Sequence, residues 1–156
     1  MTKEHIIKDI IALLSADLMV SSTAAKAAHT AATHSECLPD NKYDTTALEA
    51  SYIAQGQANR AQEIRVSLEC YRNLTLYDFD DDMPIRLTAL VTLEGDDGSV
   101  RRLFLGPQAG GMKVGGGYGE IIVITPGSPL GRSLLGLRCG DELKSGATSF
   151  TIVAVC

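Results

Sequence analysis

The 156-residue chain has no tryptophan, and aromatic residues make up only 5% of it. Long apolar runs are missing as well. None approaches the roughly 18 to 20 residues needed to cross a bilayer, and the first residues lack the basic, apolar, small-residue order of a secretory leader. These absences predict a soluble, cytoplasmic protein with no membrane contact. Positive charge is also short: 14 Lys plus Arg against 19 Asp plus Glu leave a net charge of −5. That balance argues against nucleic-acid affinity built mainly on phosphate neutralisation, and a protein partner or a cation fits better. The four cysteines, Cys37, Cys70, Cys139 and Cys156, share no CxxC spacing, which excludes a zinc ribbon and a thioredoxin-like motif. They read as free, mostly buried thiols. His5, His29 and His34 form no HExxH pair, and His34, near Glu36 and Cys37, reads as a solvated side chain.

What is present is an ordinary globular composition, 45% apolar and 21% charged, distributed unevenly. Only Gly56 of the fifteen glycines and only Pro39 of the five prolines precede residue 73. The first half therefore reads as helix and the second as strands and turns. We place a hairpin at 1–72, a linker at 73–84 and a second domain at 85–156. The linker carries Tyr77-Asp78-Phe79-Asp80-Asp81-Asp82-Met83-Pro84, a charged stretch ending in proline where a helix is hard to continue.

A stripe of small and apolar residues runs Ile7, Ile11, Leu14, Leu18, Ser21, Ala25, Ala28, Ala32, spaced alternately four and three apart. That is one face of a helix. A second runs Ala47, Ala50, Ala54, Gln57, Ala61, Ile64, Leu68, Tyr71. Folded back on each other, the stripes pair Ile7 with Tyr71, Leu14 with Ile64, Ser21 with Gln57 and Ala32 with Ala47. Large meets large at the base, polar meets polar in the middle, and small meets small toward the tip. Residue numbers in every pair sum to 78 or 79, which places the turn at Pro39 and Asp40. The expectation is an antiparallel coiled-coil hairpin with arms of roughly 45 Å. The alanine-lined half buries little apolar area per residue, so length is kept at some loss of stability.

The tip spans about 36–44. Thr46 and Glu49 have capping-box spacing for the second helix, and Asp44 or Thr45 could also cap it. Glu36 and Asp40 then remain as acids at the end of a long rod, and Asp44 could join them.

In the second half, residues 86–93 read as a strand, Asp96-Asp97-Gly98 as a turn and Val100 to Leu105 as the returning strand. Further strands are expected at 120–125 and 149–155. Between them Ser128 reads as the N-cap of a short helix, with Pro129 at its first position and Gly136 as its stop. The whole is an α+β protein: the hairpin followed by a small antiparallel sheet packing one helix. Seven glycines crowd 106–119 around Lys113. A phosphate-binding loop needs Gly-Lys-Ser/Thr opening a helix, whereas Val114 follows here and the next element is a strand, so the segment reads as a connecting loop. The second domain contains no histidine, Ser128 is accounted for as a cap, and no nucleophile–base pair emerges. With Tyr118, Phe104 and Phe150 as its only aromatics, it offers little to line a proline pocket.

The run Ser128-Pro129-Leu130-Gly131-Arg132-Ser133-Leu134-Leu135-Gly136, followed by Gly140-Asp141-Glu142 and preceded by a long acidic-tipped hairpin, resembles the GreA/GreB transcript-cleavage factors of bacterial RNA polymerase. In layout the resemblance covers the whole chain, and in close motif about residues 120–155. It implies an FKBP-like C-terminal domain that docks at the rim of the polymerase secondary channel, with Ser128, Pro129, Leu130, Gly131 and Arg132 as partner-binding residues. It also implies an accessory factor rather than an enzyme, with no cofactor of its own. Asp40 and Glu36, with Asp44 as an alternative, would help hold a Mg2+ ion at the polymerase active site, near the RNA 3′ end, and so promote cleavage of backtracked RNA. Hard oxygen ligands suit that ion, and a two-metal site asks no nucleophile of the factor. The family tip, Asp-Leu-x-Glu-Asn-x-Glu-Tyr, finds its nearest match in Leu38-Pro39-Asp40-Asn41-Lys42-Tyr43, with Cys37 where the family has aspartate. Two other readings are a Gre-like regulator that occupies or inhibits the channel without stimulating cleavage, and a module that uses the hairpin to dimerise. The oligomeric state is not fixed by the residues.

Overall fold

The computed structural model describes residues 2–33, 45–116 and 119–156. Where apolar residues alternate three and four apart, the chain winds into α1 (Lys3–Thr33) and α2 (Thr46–Arg72). At 1.5 Å per residue these run to about 46 and about 40 Å. Strands β1 (Leu90–Gly95), β2 (Val100–Leu105), β3 (Lys113–Val114) and β4 (Ile121–Ile124) follow, then α3 (Pro129–Leu134), β5 (Glu142–Ser145) and β6 (Thr148–Val155). The fold is α+β. Two compact units divide the chain, Ile11–Glu69 on one hand and Met1–Ile10 with Cys70–Cys156 on the other.

In the helical unit, Leu14 and Ser21 of α1 and Ala61, Ile64 and Leu68 of α2 are buried. The positions that continue both stripes, Leu18, Ala25 and Ala28 on α1 and Ala47, Ala50, Ala54 and Gln57 on α2, are half-buried. Ala25, Lys26 and His29 line one cleft with Ser51, Ala54, Gln55 and Ala58. The end of α1 thus lies beside the beginning of α2, and the pair is antiparallel. The stripe shifts at its base. Ile7 is only half-buried, whereas Ile6 and Ile10 are fully buried, and these first turns of α1 belong to the sheet unit.

The six strands form one sheet in the order β3-β4-β2-β1-β6-β5. All neighbours are antiparallel except β2 and β4, which run parallel with Arg102 opposite Ile121 and Leu105 opposite Ile124. The sheet is therefore mixed rather than wholly antiparallel. A parallel pair needs a crossover in place of a tight turn, and the glycine-rich segment after β2 supplies it, adding β3 as an edge strand on β4. The first strand also starts later than its residue pattern implies. Thr88 sits at φ 75°, outside extended geometry, so pairing begins at Leu90.

Alternation places Val91, Leu93, Leu103, Leu105, Phe150 and Ile152 in one core cluster with Leu143, Ile124 and Leu134 of α3. Leu90, Phe104, Ile121 and Val123, also buried, occupy the opposite face. Tyr71, at the end of α2, lies against Gly106, where a β-carbon would collide with its phenolic oxygen. Its hydroxyl donates to the Gln108 carbonyl at 2.6 Å.

Candidate docking site

Local chemistry dictates nearly every residue of the segment that carries α3. Ser128 takes an extended conformation (φ −71°, ψ 156°), and its Oγ accepts the Gly131 N–H at 3.1 Å. The same hydroxyl donates to the Thr125 carbonyl at 2.8 Å, so one side chain caps the helix and ties it to the end of β4. Pro129 fills the first turn, where its missing N–H is not needed. At Gly131 a β-carbon would run into the Thr125 carbonyl oxygen, and only glycine allows this approach. Leu130 and Leu134 pack on the core. Gly136 closes the helix at φ +84°, and its N–H donates to the Ile85 carbonyl at 2.9 Å while Ile85 N–H donates to Leu137 at 2.7 Å.

Gly140-Asp141-Glu142 is equally structural at its centre. Gly140 adopts φ +92°, and the Asp141 carboxylate accepts the Arg138 N–H at 2.8 Å. Gly140 N–H donates to Ile152 at 2.7 Å, and Ile152 N–H returns a bond to Asp141 at 2.9 Å. The turn is thereby sewn onto β6, leaving Glu142 exposed at the start of β5.

Once these roles are assigned, Pro129, Arg132, Ser133 and Leu135 remain exposed along α3 and its C-cap. Beside them lies a cleft of about 420 Å³ lined by Ile124, Ser128, Pro129, Leu130, Ser133 and Lys144 with Ser145 and Gly146. Its lining mixes apolar carbon, hydroxyls and one ammonium. Phe104 and Phe150 are fully buried elsewhere in the sheet and do not line it. Of the five residues expected to bind a partner, Pro129 and Arg132 present themselves to solvent, Ser128 and Leu130 are half-buried, and Gly131 is buried.

Glu36, Asp40 and Asp44, the tip acids, lie outside the described residues, as do His34, Cys37 and Tyr118. Among the described residues no group of three or more His, Cys, Asp or Glu side chains could hold a metal ion, and no helix is long and apolar enough to cross a membrane. In the 106–119 segment Lys113 pairs with Glu120 at 3.1 Å across the β3–β4 ladder, which gives the lysine a partner within the sheet. Tyr71 was legible as a core position, but its bond to Gln108 was not.

No protein-family model and no curated protein matches the chain. Among solved structures it is similar to GreA factor homolog 1 (Gfh1) of Thermus thermophilus, at 19% identity over 94% of each chain with a TM-score of 0.41. It is also similar to a structure of the transcription factor Gfh1, at 22% identity over 96% of this chain and 92% of that one, TM-score 0.38. Gfh1 of Thermus aquaticus matches at 19% identity over 95% and 92%, TM-score 0.36.

Proposed function

We propose that the chain is a Gre-type transcription elongation factor that docks on bacterial RNA polymerase and carries an acidic coiled-coil tip into its secondary channel to promote cleavage of backtracked RNA. The observation that carries this reading is the folded form of the Ser128–Gly136 segment. A cap, a first-turn proline, a close-approach glycine and a glycine stop all fall within one short helix beside an open cleft. The antiparallel helical pair gives the reach such a factor needs, about 40 Å or more.

Docking falls to the exposed edge of α3, with Arg132 as its charge and Pro129 and Leu130 as its apolar contacts. The carboxylate oxygens of Asp40 and Glu36, or of Asp44, are hard donors that fit Mg2+. Bound at the polymerase site, that ion supplies activation of water against the RNA phosphodiester. The factor's own residues position charge and hold the arm; they contribute no nucleophile. Cys37, standing where the family tip has aspartate, favours a second reading: a channel-occupying regulator that binds without stimulating cleavage.

RNA cleavage in a purified backtracked elongation complex separates the two, with Asp40→Asn as the paired control. Stimulation that disappears with Asp40→Asn is the expected result. Binding without stimulation establishes the channel-occupying regulator instead, and absence of polymerase binding overturns both.

A further inference from the structure

Apart from α3, a cluster of cationic and aromatic side chains among the described residues lies wholly within the sheet unit. Phe79, in the segment joining α2 to β1, is partly buried against the sheet's core cluster. Two cations lie over its ring, Lys3 Nζ at 4.8 Å from the centroid and the Arg86 guanidinium at 5.8 Å. Arg86 also stacks on Tyr77 at 4.5 Å. Lys3 Nζ donates to the Tyr77 carbonyl and, at 3.3 Å, to the Thr88 carbonyl.

Thr88 makes this junction specific. It is fully buried and holds φ 75°, a left-handed conformation that a β-branched residue adopts only under constraint. Its hydroxyl accepts the Tyr77 N–H at 3.1 Å, and its own N–H donates to Leu105 at 2.8 Å. The lysine ammonium thus joins three stretches, the first turn of α1, residues 77–79, and the turn before β1. It has three N–H donors and a full charge, and two carbonyls and a ring face use them. An amide in its place has one N–H, more bulk and no charge to offer the ring.

We propose that Lys3 is a modification-sensitive clamp, and that Nε-acylation of Lys3 frees residues 77–88 from the first turn of α1 while the six-stranded sheet stays intact. In the acylation, the neutral amine attacks the carbonyl carbon of an acyl phosphate. A C–N bond forms, the C–O bond to phosphate breaks, phosphate leaves with the electron pair, and the amine proton passes to water. Lys3 is half-buried rather than enclosed. Burial holds its ammonium below the ordinary pKa of 10.5, against the pull of negative charge at Cys156, Asp78 and Glu4, which enlarges the neutral, nucleophilic fraction. Lys3 and the stretches it joins hold one another without any role at RNA polymerase.

The test uses the full chain. Treatment with acetyl phosphate, followed by peptide mapping, is expected to acetylate Lys3 at a rate comparable with the exposed Lys8 and Lys144. A chain carrying Nε-acetyllysine at position 3 should show at least tenfold faster amide exchange across 77–88, with protection in β1, β2 and β6 unchanged, and Lys3→Arg should keep native protection. Four outcomes overturn the proposal: Lys3 untouched while Lys8 and Lys144 react; unchanged exchange in the acetylated chain; Lys3→Arg exchanging as fast as the acetylated form; or protection lost throughout the strands.

Discussion

Tyr71 is 1% exposed, and its hydroxyl has found one carbonyl, that of Gln108, 37 residues further along the chain. Burial raises its pKa above the ordinary 10, outweighing the opposing effect of the hydrogen bond to Gln108. The folded state therefore keeps its proton where the unfolded chain begins to lose it. The contribution is complete below pH 10 and declines as pH rises above it. Urea titrations from pH 9 to 11 should show stability falling over that range, with Tyr71→Phe removing the part due to this phenol and costing about 1 kcal/mol at neutral pH. Gly131 gives a second residue-scale expectation. With Thr125 in the way of any β-carbon, Gly131→Ala should cost about 1 to 3 kcal/mol by the same measurement. Residues governed by nearest neighbours were legible from sequence: Ser128 as cap, Pro129 at the first turn and Gly136 as stop all follow local rules. Lys3 was not, because its carbonyl partners lie 74 and 85 positions away and no periodicity connects them.

Helices and strands differ in what their sequences disclose. The α2 stripe from Ala47 to Tyr71 marks the inward face residue by residue, since a long helix repeats its signal over many turns. Gly56 sits inside that helix, and a β-carbon there would meet nothing within 4 Å. Gly56→Ala should therefore raise stability by about 1 kcal/mol, read as a higher melting temperature by circular dichroism. Short strands carry less information. β3 has two residues and β5 four, too few for alternation to register, and both went unread. The parallel pairing of β2 with β4 was hidden for another reason: direction is set by how the 106–119 segment travels, while side-chain alternation is the same either way.

At the scale of the molecule, the division into Ile11–Glu69 and the remainder means that the sheet unit holds its own contacts, including those of Ile6, Ile10 and Tyr71. A chain in which residues 11–69 are replaced by a short Gly-Ser linker should keep a cooperative melt and the strand signature of the parent. On the proposed reading it should still bind RNA polymerase and fail to stimulate cleavage, which a filter-binding assay beside the cleavage assay measures. The order of elements, a helical pair and then a sheet, was legible because glycine and proline are so unevenly shared between the halves. That the first ten residues side with the sheet was not, since a helix gives no sign along its length of where its allegiance changes.

The strand order carries a consequence for synthesis. β6, the last of the six strands in chain order, sits between β1 and β5, one strand in from the edge of the sheet. While translation is under way, β1 waits with one edge bare, and Ile6 and Ile10 wait for a core that does not yet exist. The helical unit, by contrast, has all its residues in hand by Glu69. On the ribosome the arm has time to form first, and the exposed edge of β1 is the place where a chaperone, or a neighbouring nascent chain, would find this protein unfinished.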